Sequence, residues 1–327
     1  MKAIALLSGG LDSTLAVRII LDQGIEIEAL KFTSPFCKCD REGRCYSAEV
    51  ANELKIPVKT IAKGADYLEI IKRPKFGYGS GMNPCIDCRI YMLKKAKEYA
   101  EYAGAQFIFT GEVLGQRPMS QQRRALKIIE EEAGLGGKLL RPLSAKLLPE
   151  TEAEKNGWVD REKLLAITGR GRRSQYKLIK QYNITAFSCP AGGCLLTDKN
   201  FARKMRDLMR RKENLTPCDI TILKTGRHFR YNDSRIVVGR NQNENGVLLR
   251  NKYENDLLFL VPEVGSPIVI LQGSHDEQYI QLAASLTAAY SDAPSGDVTV
   301  LFGNDEKEVC SINVIKPEKE KFAQYLI

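Results

Sequence analysis

Four apolar residues, Ile4 to Leu7, run straight into Ser8-Gly9-Gly10-Leu11-Asp12-Ser13-Thr14 near the amino end of a 327-residue chain. No other stretch constrains the fold as much. A buried strand meets a glycine pair, and a helix opens at once, with Leu11, Leu15 and Ile19 on one stripe and Ala16 and Ile20 beside it. Glycines at such a junction let main-chain N–H groups come close to a ligand. The helix start adds unpaired N–H donors and partial positive charge, and Ser8, Ser13 and Thr14 add hydroxyls. A loop of this composition suits a phosphate. It is neither the G-x-x-x-x-G-K-[ST] loop, whose lysine is absent, nor G-x-G-x-x-G. The alternative is a tight strand–helix turn that holds nothing.

The pattern continues in the same sense. Residues 25–33 alternate as a second strand, a helix lies near 47–55, and a short strand follows Pro57. The stretch 88–103 reads as a helix and "AQFIFTG" as a further strand. Strands alternating with helices predict an α/β fold with a doubly wound, parallel, Rossmann-like sheet. Residues 119–213 read as mostly helical. Beyond "NLTPCD" (214–219) come short strand-like runs, DITIL, RIVVG, GVLLR, DLLFLV, PIVIL and VTVLF, with one helix near 275–290, which predicts a smaller α+β domain. The expected division is therefore 1–145, a nucleotide-binding domain; 146–213, a helical basic segment completing the active site; and 214–327, the carboxy-terminal domain.

Charge is unevenly placed. Between Arg161 and Glu213 there are 14 Lys and Arg against 4 Asp and Glu, whereas the whole chain carries only +9. A local excess of this kind suits a polyanion, nucleic acid above all, or else a solvated helical face. No apolar run reaches the roughly 18 residues needed to cross a bilayer, and the glycine loop interrupts the first apolar stretch too early for a signal peptide. A cytoplasmic protein without membrane contact is expected. Nine cysteines in such a compartment point to metal ligands or reactive thiols more than to disulfides.

Ser8-Gly9-Gly10-Leu11-Asp12-Ser13 resembles the signature of the PP-loop ATP pyrophosphatases, which split ATP between its α and β phosphates. The resemblance implies that Ser8, Gly10 and Ser13 cradle pyrophosphate, that Asp12 positions Mg²⁺ or the phosphate loop, and that adenine lies near Leu30 to Phe32. Ser8, Gly9, Gly10, Asp12, Ser13, Thr14, Phe32, Gly111 and Gln116 are the residues expected to bind ATP. "TGEVLGQRPMSQ" (110–121) is similar to the "GE-x-LGQ-x-x-SQ" stretch of the 4-thiouridine tRNA synthetases, with one extra residue before Ser120-Gln121, and "LLRPL" (139–143) also fits them. "NPCIDC" (83–88) resembles the "NPC-x-x-C" region of the 2-thiouridine tRNA synthetases.

Two thiols at i and i+3 near a helix start can grip one metal, and the helix dipole favours thiolate. With a distant "SCPAGGC" (188–194), the set resembles the iron–sulfur-dependent tRNA thiolases, which hold a [4Fe–4S] cluster by three cysteines. Cys85, Cys88 and Cys194 are the expected metal ligands; two glycines before Cys194 would let that loop fold back, and Cys189 is the rival. A persulfide on one cysteine with a second as resolver is the competing chemistry, and structural zinc or buried structural thiols remain further alternatives. Cys37, Cys39 and Cys45 follow the second strand and could hold zinc or supply sulfur.

Residues from "TGRHFRYNDSRIVVGRNQNEN" onward resemble the RNA-binding domain of the NFACT ribosome-associated proteins, carried by Gly226, Arg227, His228, Phe229, Val238, Gly239, Arg240, Asn241 and Asn245. A histidine of that family is absent near Val261. Together the resemblances imply an ATP-dependent tRNA sulfurtransferase. It would adenylate a uridine carbonyl oxygen and replace it with sulfur, with Asp12, Cys85 and Cys194 as catalytic residues. ATP, Mg²⁺ and a [4Fe–4S] cluster, or zinc, are the implied cofactors. The implied partners are tRNA or another structured RNA and a sulfur donor, protein or sulfide; a homodimer is open. Lys31, Arg89 and Arg117 are candidates to neutralise phosphate charge. The alternatives are an amidating ligase of the same superfamily with structural zinc, and a non-catalytic RNA-binding factor.

Overall fold

The structure is a computed structural model that describes residues 1–38, 45–188, 193–304 and 309–327. Cys39 and Cys189 lie outside the described residues. The chain divides into two compact units, Met1–Thr197 and Asp198–Ile327.

The first unit is built as the strand–helix alternation predicts. In chain order it contains β1 (Lys2–Leu6), α1 (Leu11–Leu21), β2 (Glu26–Thr33), α2 (Tyr46–Glu53), β3 (Val58–Ala62), α3 (Ala65–Lys72), α4 (Cys85–Tyr102), β4 (Phe107–Thr110), α5 (Arg123–Glu132), β5 (Leu139–Leu140), α6 (Glu152–Lys155) and α7 (Arg173–Gln181). The strands form one parallel sheet in the order β3-β2-β1-β4-β5. The chain winds one way from β1 to β3 and the other way from β4 to β5, so the switch point lies between β1 and β4. Open sheets of this kind bind ligands there, beyond the carboxyl ends of the strands. Register sets the level: Leu6 stands beside Leu30 on one side and Thr110 on the other. The loops after β1, β2 and β4 therefore leave the sheet at one edge.

The stripe on α1 is buried as its spacing predicts, with Leu11, Leu15, Ala16, Ile19 and Ile20 all in the core beside Ala3, Ala5 and Ile27. On the other face, Ile90, Leu93 and Ala96 of α4 pack over Ile4, Leu30 and Ile108. Residues 133–172 carry less helix than expected, only the four-residue α6 and two single-turn 3₁₀ segments. Gly134, Gly137, Gly157 and Gly169 take positive φ there, which stops helices from propagating.

The second unit contains α8 (Lys199–Arg211), α9 (Pro217–Lys224), β6 (Arg227–Tyr231), β7 (Ser234–Val238), α10 (Gln242–Asn251), β8 (Leu257–Leu260), β9 (Val269–Gln272), α11 (Glu277–Tyr290), β10 (Asp297–Gly303) and β11 (Cys310–Ile315). Its six strands form an antiparallel sheet, β11-β10-β8-β9-β7-β6, against which α11 packs Tyr279, Ala283 and Leu286. Two expected strands are helices. DITIL lies in α9 and GVLLR in α10. Thr216 and Asp219 form a reciprocal capping box ahead of Pro217, and Asn241 accepts the N–H of Glu244, so both runs begin on strong helix starts. Five apolar residues alone do not separate a strand from a buried helix face. Among the described residues no helix is long and apolar enough to cross a membrane.

Candidate active site

A cavity of about 270 Å³ opens at the switch point of the first unit. Its floor is the loop between β1 and α1. Gly9 has φ +72°, and a Cβ there would lie 2.6 Å from the amide nitrogen of Ser47, so only glycine lets the loop rest on the start of α2. Gly10 is the N-cap of α1 and offers no side-chain cap, so the first N–H groups of the helix have no side-chain acceptor from it. Ser8 and Ser13 meet hydroxyl to hydroxyl at 3.1 Å, and the Ser13 hydroxyl reaches the Gly10 carbonyl at 2.9 Å. The Thr14 hydroxyl is turned onto that same carbonyl at 3.1 Å, within the buried start of the helix. Ser8, Gly10, Asp12 and Ser13 all face the cavity, as does Phe32 at the end of β2.

Asp12 is held from three directions. Gln116 Nε2 donates to its Oδ2 at 2.5 Å, Gln175 Nε2 to its Oδ1 at 3.3 Å, and Arg172 Nε stands 3.9 Å from Oδ2. Gln116 and Gln175 also bond each other at 3.2 Å. Gln175 sits on α7 and is fully buried, although its neighbours Arg173, Ser174, Tyr176 and Lys177 are exposed. Part of the basic stretch thus turns inward to the loop. Gly111 closes the other side: a Cβ there would lie 2.5 Å from both the Cα and the amide nitrogen of Ser13. The end of β4 therefore packs directly on the backbone of Asp12 and Ser13, at the start of α1.

The next residue, Glu112, is 3 % exposed and lies between two arginines, Arg89 Nε at 3.3 Å and Arg141 Nε at 3.0 Å. Burial pushes its carboxyl up, but the two guanidinium groups outweigh that and hold it below the ordinary carboxylate range. Arg141, itself buried, also pairs with Glu130. Glu112 thus fixes Arg89 at the cavity wall, where Arg117 and Arg172 also stand. Desolvation, and then the charges of Arg89 and Arg172, hold Arg117 below its ordinary value. Lys31 does not belong to this group: its ammonium lies 2.9 Å from the Cys45 thiol.

Thiols line the same cavity. Cys85 is the first residue of α4 and Cys88 lies one turn later. Asn83 Nδ2 donates to Cys85 Sγ at 3.1 Å, and Lys63 Nζ to Cys88 Sγ at 3.0 Å. The third thiol is pinned from two sides. Leu195 N–H donates to the Phe36 carbonyl and Lys38 N–H to that of Gly193, while Met82 N–H donates to the Leu196 carbonyl at 2.7 Å. A Cβ on Gly81 would lie 2.2 Å from the Leu196 carbonyl oxygen, so glycine at 81 is what lets the 193–196 segment approach the loop that leads into α4. Cys194 is thereby brought to the same cavity as Cys85 and Cys88. Burial, and then the nearby Cys88 and Cys85, push its thiol up to about 12. Tyr67 of α3 lines the same cavity, and burial, then the thiols Cys88, Cys194 and Cys85, push its hydroxyl up. Among the described residues no three His, Cys, Asp or Glu side chains converge closely enough to hold a single metal ion.

Sequence reasoning named the loop, Phe32, Gly111, Gln116, Cys85, Cys88 and Cys194. It missed Lys63, Tyr67, Asn83, Arg172 as a site residue, and Gln175. Only Asn83 had a local signal, its place in "NPCIDC".

Residues 1–146 match the family described as thiamine biosynthesis protein (ThiI), and residues 226–326 match the NFACT protein RNA binding domain. A tRNA-specific 2-thiouridylase MnmA of Blochmanniella floridana is 32% identical over 122 residues, 34% of this chain and 33% of that protein. A probable tRNA sulfurtransferase of Methanocaldococcus jannaschii is 30% identical over 148 residues, 43% of this chain and 36% of that protein. The chain thus spans about a third of the length of the curated relatives it matches. A solved 4-thiouridine synthetase–RNA complex with bound ATP is a distant likeness, 22% identical, with a TM-score of 0.37 over 68% of this chain and 52% of that one. The chain is thus similar to the ThiI family over residues 1–146 and to the NFACT RNA-binding-domain family over residues 226–326.

Proposed function

We propose that this protein is an ATP-dependent RNA sulfurtransferase, acting on a uridine of tRNA. The observation that carries the reading is one cavity lined both by the Ser8–Ser13 loop and by Cys85, Cys88 and Cys194, with Cys37 beside them.

The α1 start and the hydroxyls of Ser8 and Ser13 hold the β and γ phosphates as the pyrophosphate that leaves. Arg89, Arg117 and Arg172 neutralise charge that builds up at the α-phosphate. Gln116, Gln175 and Arg172 fix Asp12, whose oxygens keep lone pairs for Mg²⁺ or for orienting the loop. Phe32 lies where adenine would sit. The uridine carbonyl oxygen attacks the α-phosphorus and pyrophosphate departs. The oxygen, now part of a phosphate ester, has become a good leaving group. Sulfur then attacks the ring carbon and AMP leaves with the former carbonyl oxygen. Arg161 to Glu213 supplies positive charge suited to an RNA backbone, and the 226–326 segment a second RNA-binding element.

The thiols fit a [4Fe–4S] cluster by donor chemistry. Cys85, Cys88 and Cys194 line one cavity, and thiolates are the soft ligands that such a cluster takes. Cys85, Cys88 and Cys194 would hold it, and such a cluster supplies an iron open to sulfide. Lys63 steadies Cys88 with a positive charge and Asn83 orients Cys85, which serves a thiolate ligand and a persulfide equally. Iron bound by anaerobically prepared protein, and lost in Cys85→Ala, favours the cluster; iron-free protein that transfers sulfur from a persulfide donor, and is left with a disulfide between two of these cysteines, favours the persulfide.

The test is incubation of the full chain with ATP, tRNA and sulfide. AMP, pyrophosphate and a thionucleoside in equal amounts support the proposal. ADP and phosphate, or AMP formed without any thionucleoside, contradict it.

A further inference from the structure

Cys37 lies four residues past the end of β2 and faces the same cavity as Cys194. The two are direct partners in an isolated antiparallel bridge. The hydrogen bonds of that bridge run between the flanking residues, from Leu195 N–H to the Phe36 carbonyl at 2.9 Å and from Lys38 N–H to the Gly193 carbonyl at 3.2 Å. Cys37 and Cys194 are therefore a non-hydrogen-bonded pair, the kind whose Cα atoms approach to about 4.5 Å with side chains on one face. Disulfides need Cα separations of roughly 4.4–6.8 Å. Phe36, fully buried, anchors the strand on one side, and Met82 N–H anchors the other through the Leu196 carbonyl.

We propose that Cys37 and Cys194 form a redox modification site, a cross-strand disulfide that closes under peroxide and withdraws Cys194 from the trio of cavity thiols. One peroxide oxidises one thiol to a sulfenic acid with loss of water. The second thiol attacks that sulfur, the S–S bond forms, and a second water leaves. Two thiols and one hydrogen peroxide thus become one disulfide and two waters, and an external dithiol reverses the step. The pairing rests on backbone register alone. Its consequence, a sulfur-transfer site switched off by oxidation, rests on the function proposed above.

The full chain is treated with hydrogen peroxide, alkylated and digested with trypsin. Cleavage after Lys38 separates Cys37 from Cys39, giving residues 32–38, while Cys194 falls in 181–199 with Cys189. The expected product joins these two peptides, with tandem fragmentation placing the link at Cys194. Two thiols per chain are lost and both return with dithiothreitol, and the joined peptide is absent from Cys37→Ser and from Cys194→Ser. A link from Cys194 to Cys85, Cys88 or Cys189, a link from Cys37 to Cys39, or sulfinic acid without any link overturns the proposal. Should the disulfide form in a chain that never thiolates RNA, the functional reading fails and the redox pair stands. If sulfur transfer proceeds but no disulfide forms, the reverse holds.

Discussion

Replacing Gly111 by alanine adds one methyl group where the structure has no room for it. The new carbon would sit 2.5 Å from the Cα and amide nitrogen of Ser13 and 2.6 Å from the carbonyl carbon of Asp12. All three are backbone atoms, so no side chain can swing aside, and either the end of β4 or the phosphate loop must move. Overpacking of this kind costs roughly 1–3 kcal/mol. If the strain stays in the fold, a unit of this size loses about 2–4 °C of Tm per kcal/mol, hence roughly 2–12 °C. If instead the loop shifts and ATP must restore it, the same energy weakens binding, at tenfold per about 1.4 kcal/mol, by roughly 5- to 150-fold. Calorimetric titration with MgATP beside a thermal melt reads both. Gly136→Ala is the control, since a Cβ there meets nothing within 4 Å. Its Tm and ATP affinity should stay at wild-type values. Gly111→Ala with an unchanged Tm and an unchanged Kd for ATP would refute the claim that β4 clamps the loop.

Three further outcomes follow from the site. Gln116→Leu removes the 2.5 Å bond to Asp12. Hydrogen bonds to charged groups are worth about 1.5–3 kcal/mol, so kcat/KM for pyrophosphate release should fall about ten- to a hundredfold, and an unchanged value removes Asp12 from the chemistry. Glu112→Gln breaks a buried pair, which costs about 3–5 kcal/mol; Arg141 keeps Glu130, so the low end is expected, as a drop in Tm at pH 7. Because the folded carboxyl titrates below its ordinary 4.5, its contribution is complete above that pH and fades as pH falls through the folded value, so the Tm gap should narrow there. A gap independent of pH contradicts the assignment. At Cys45, burial raises the thiol, but Lys31, Ser47 and the Ala48 N–H outweigh it and hold it below the ordinary value. Lys31→Met should therefore slow iodoacetamide labelling of Cys45 at pH 7 relative to exposed Cys310, as read by peptide mapping, and equal rates argue against the Lys31 contact.

How far the sequence reaches depends on whether the determining interactions are local. The β1–loop–α1 junction was readable because glycines, hydroxyls and an apolar stripe all sit within some fifteen residues. The thiols were visible by type and by the Cys85–Cys88 spacing, yet nothing local tells which distant cysteine joins them. That is decided by Gly81 and Phe36, which dock the 193–196 segment by backbone contacts. Gln175 was invisible for the same reason: it sits among exposed basic residues and meets Asp12 across 163 positions. The basic stretch reads as one surface, whereas Arg172 turns into the cavity and Arg203, Arg206 and Arg210 lie exposed on α8. In the second unit, DITIL and GVLLR mislead because their helix-forming signals lie just outside the apolar runs, at Thr216, Pro217 and Asn241.

The central claim, that ATP activates a carbonyl which sulfur then displaces, has a direct isotopic test. RNA carrying ¹⁸O in the uridine carbonyl groups is given to the full chain with unlabelled ATP and sulfide, and the AMP is weighed by mass spectrometry. The account predicts one ¹⁸O in each AMP for every thionucleoside made. Unlabelled AMP accompanying thionucleoside, with the heavy oxygen released into water, would contradict it.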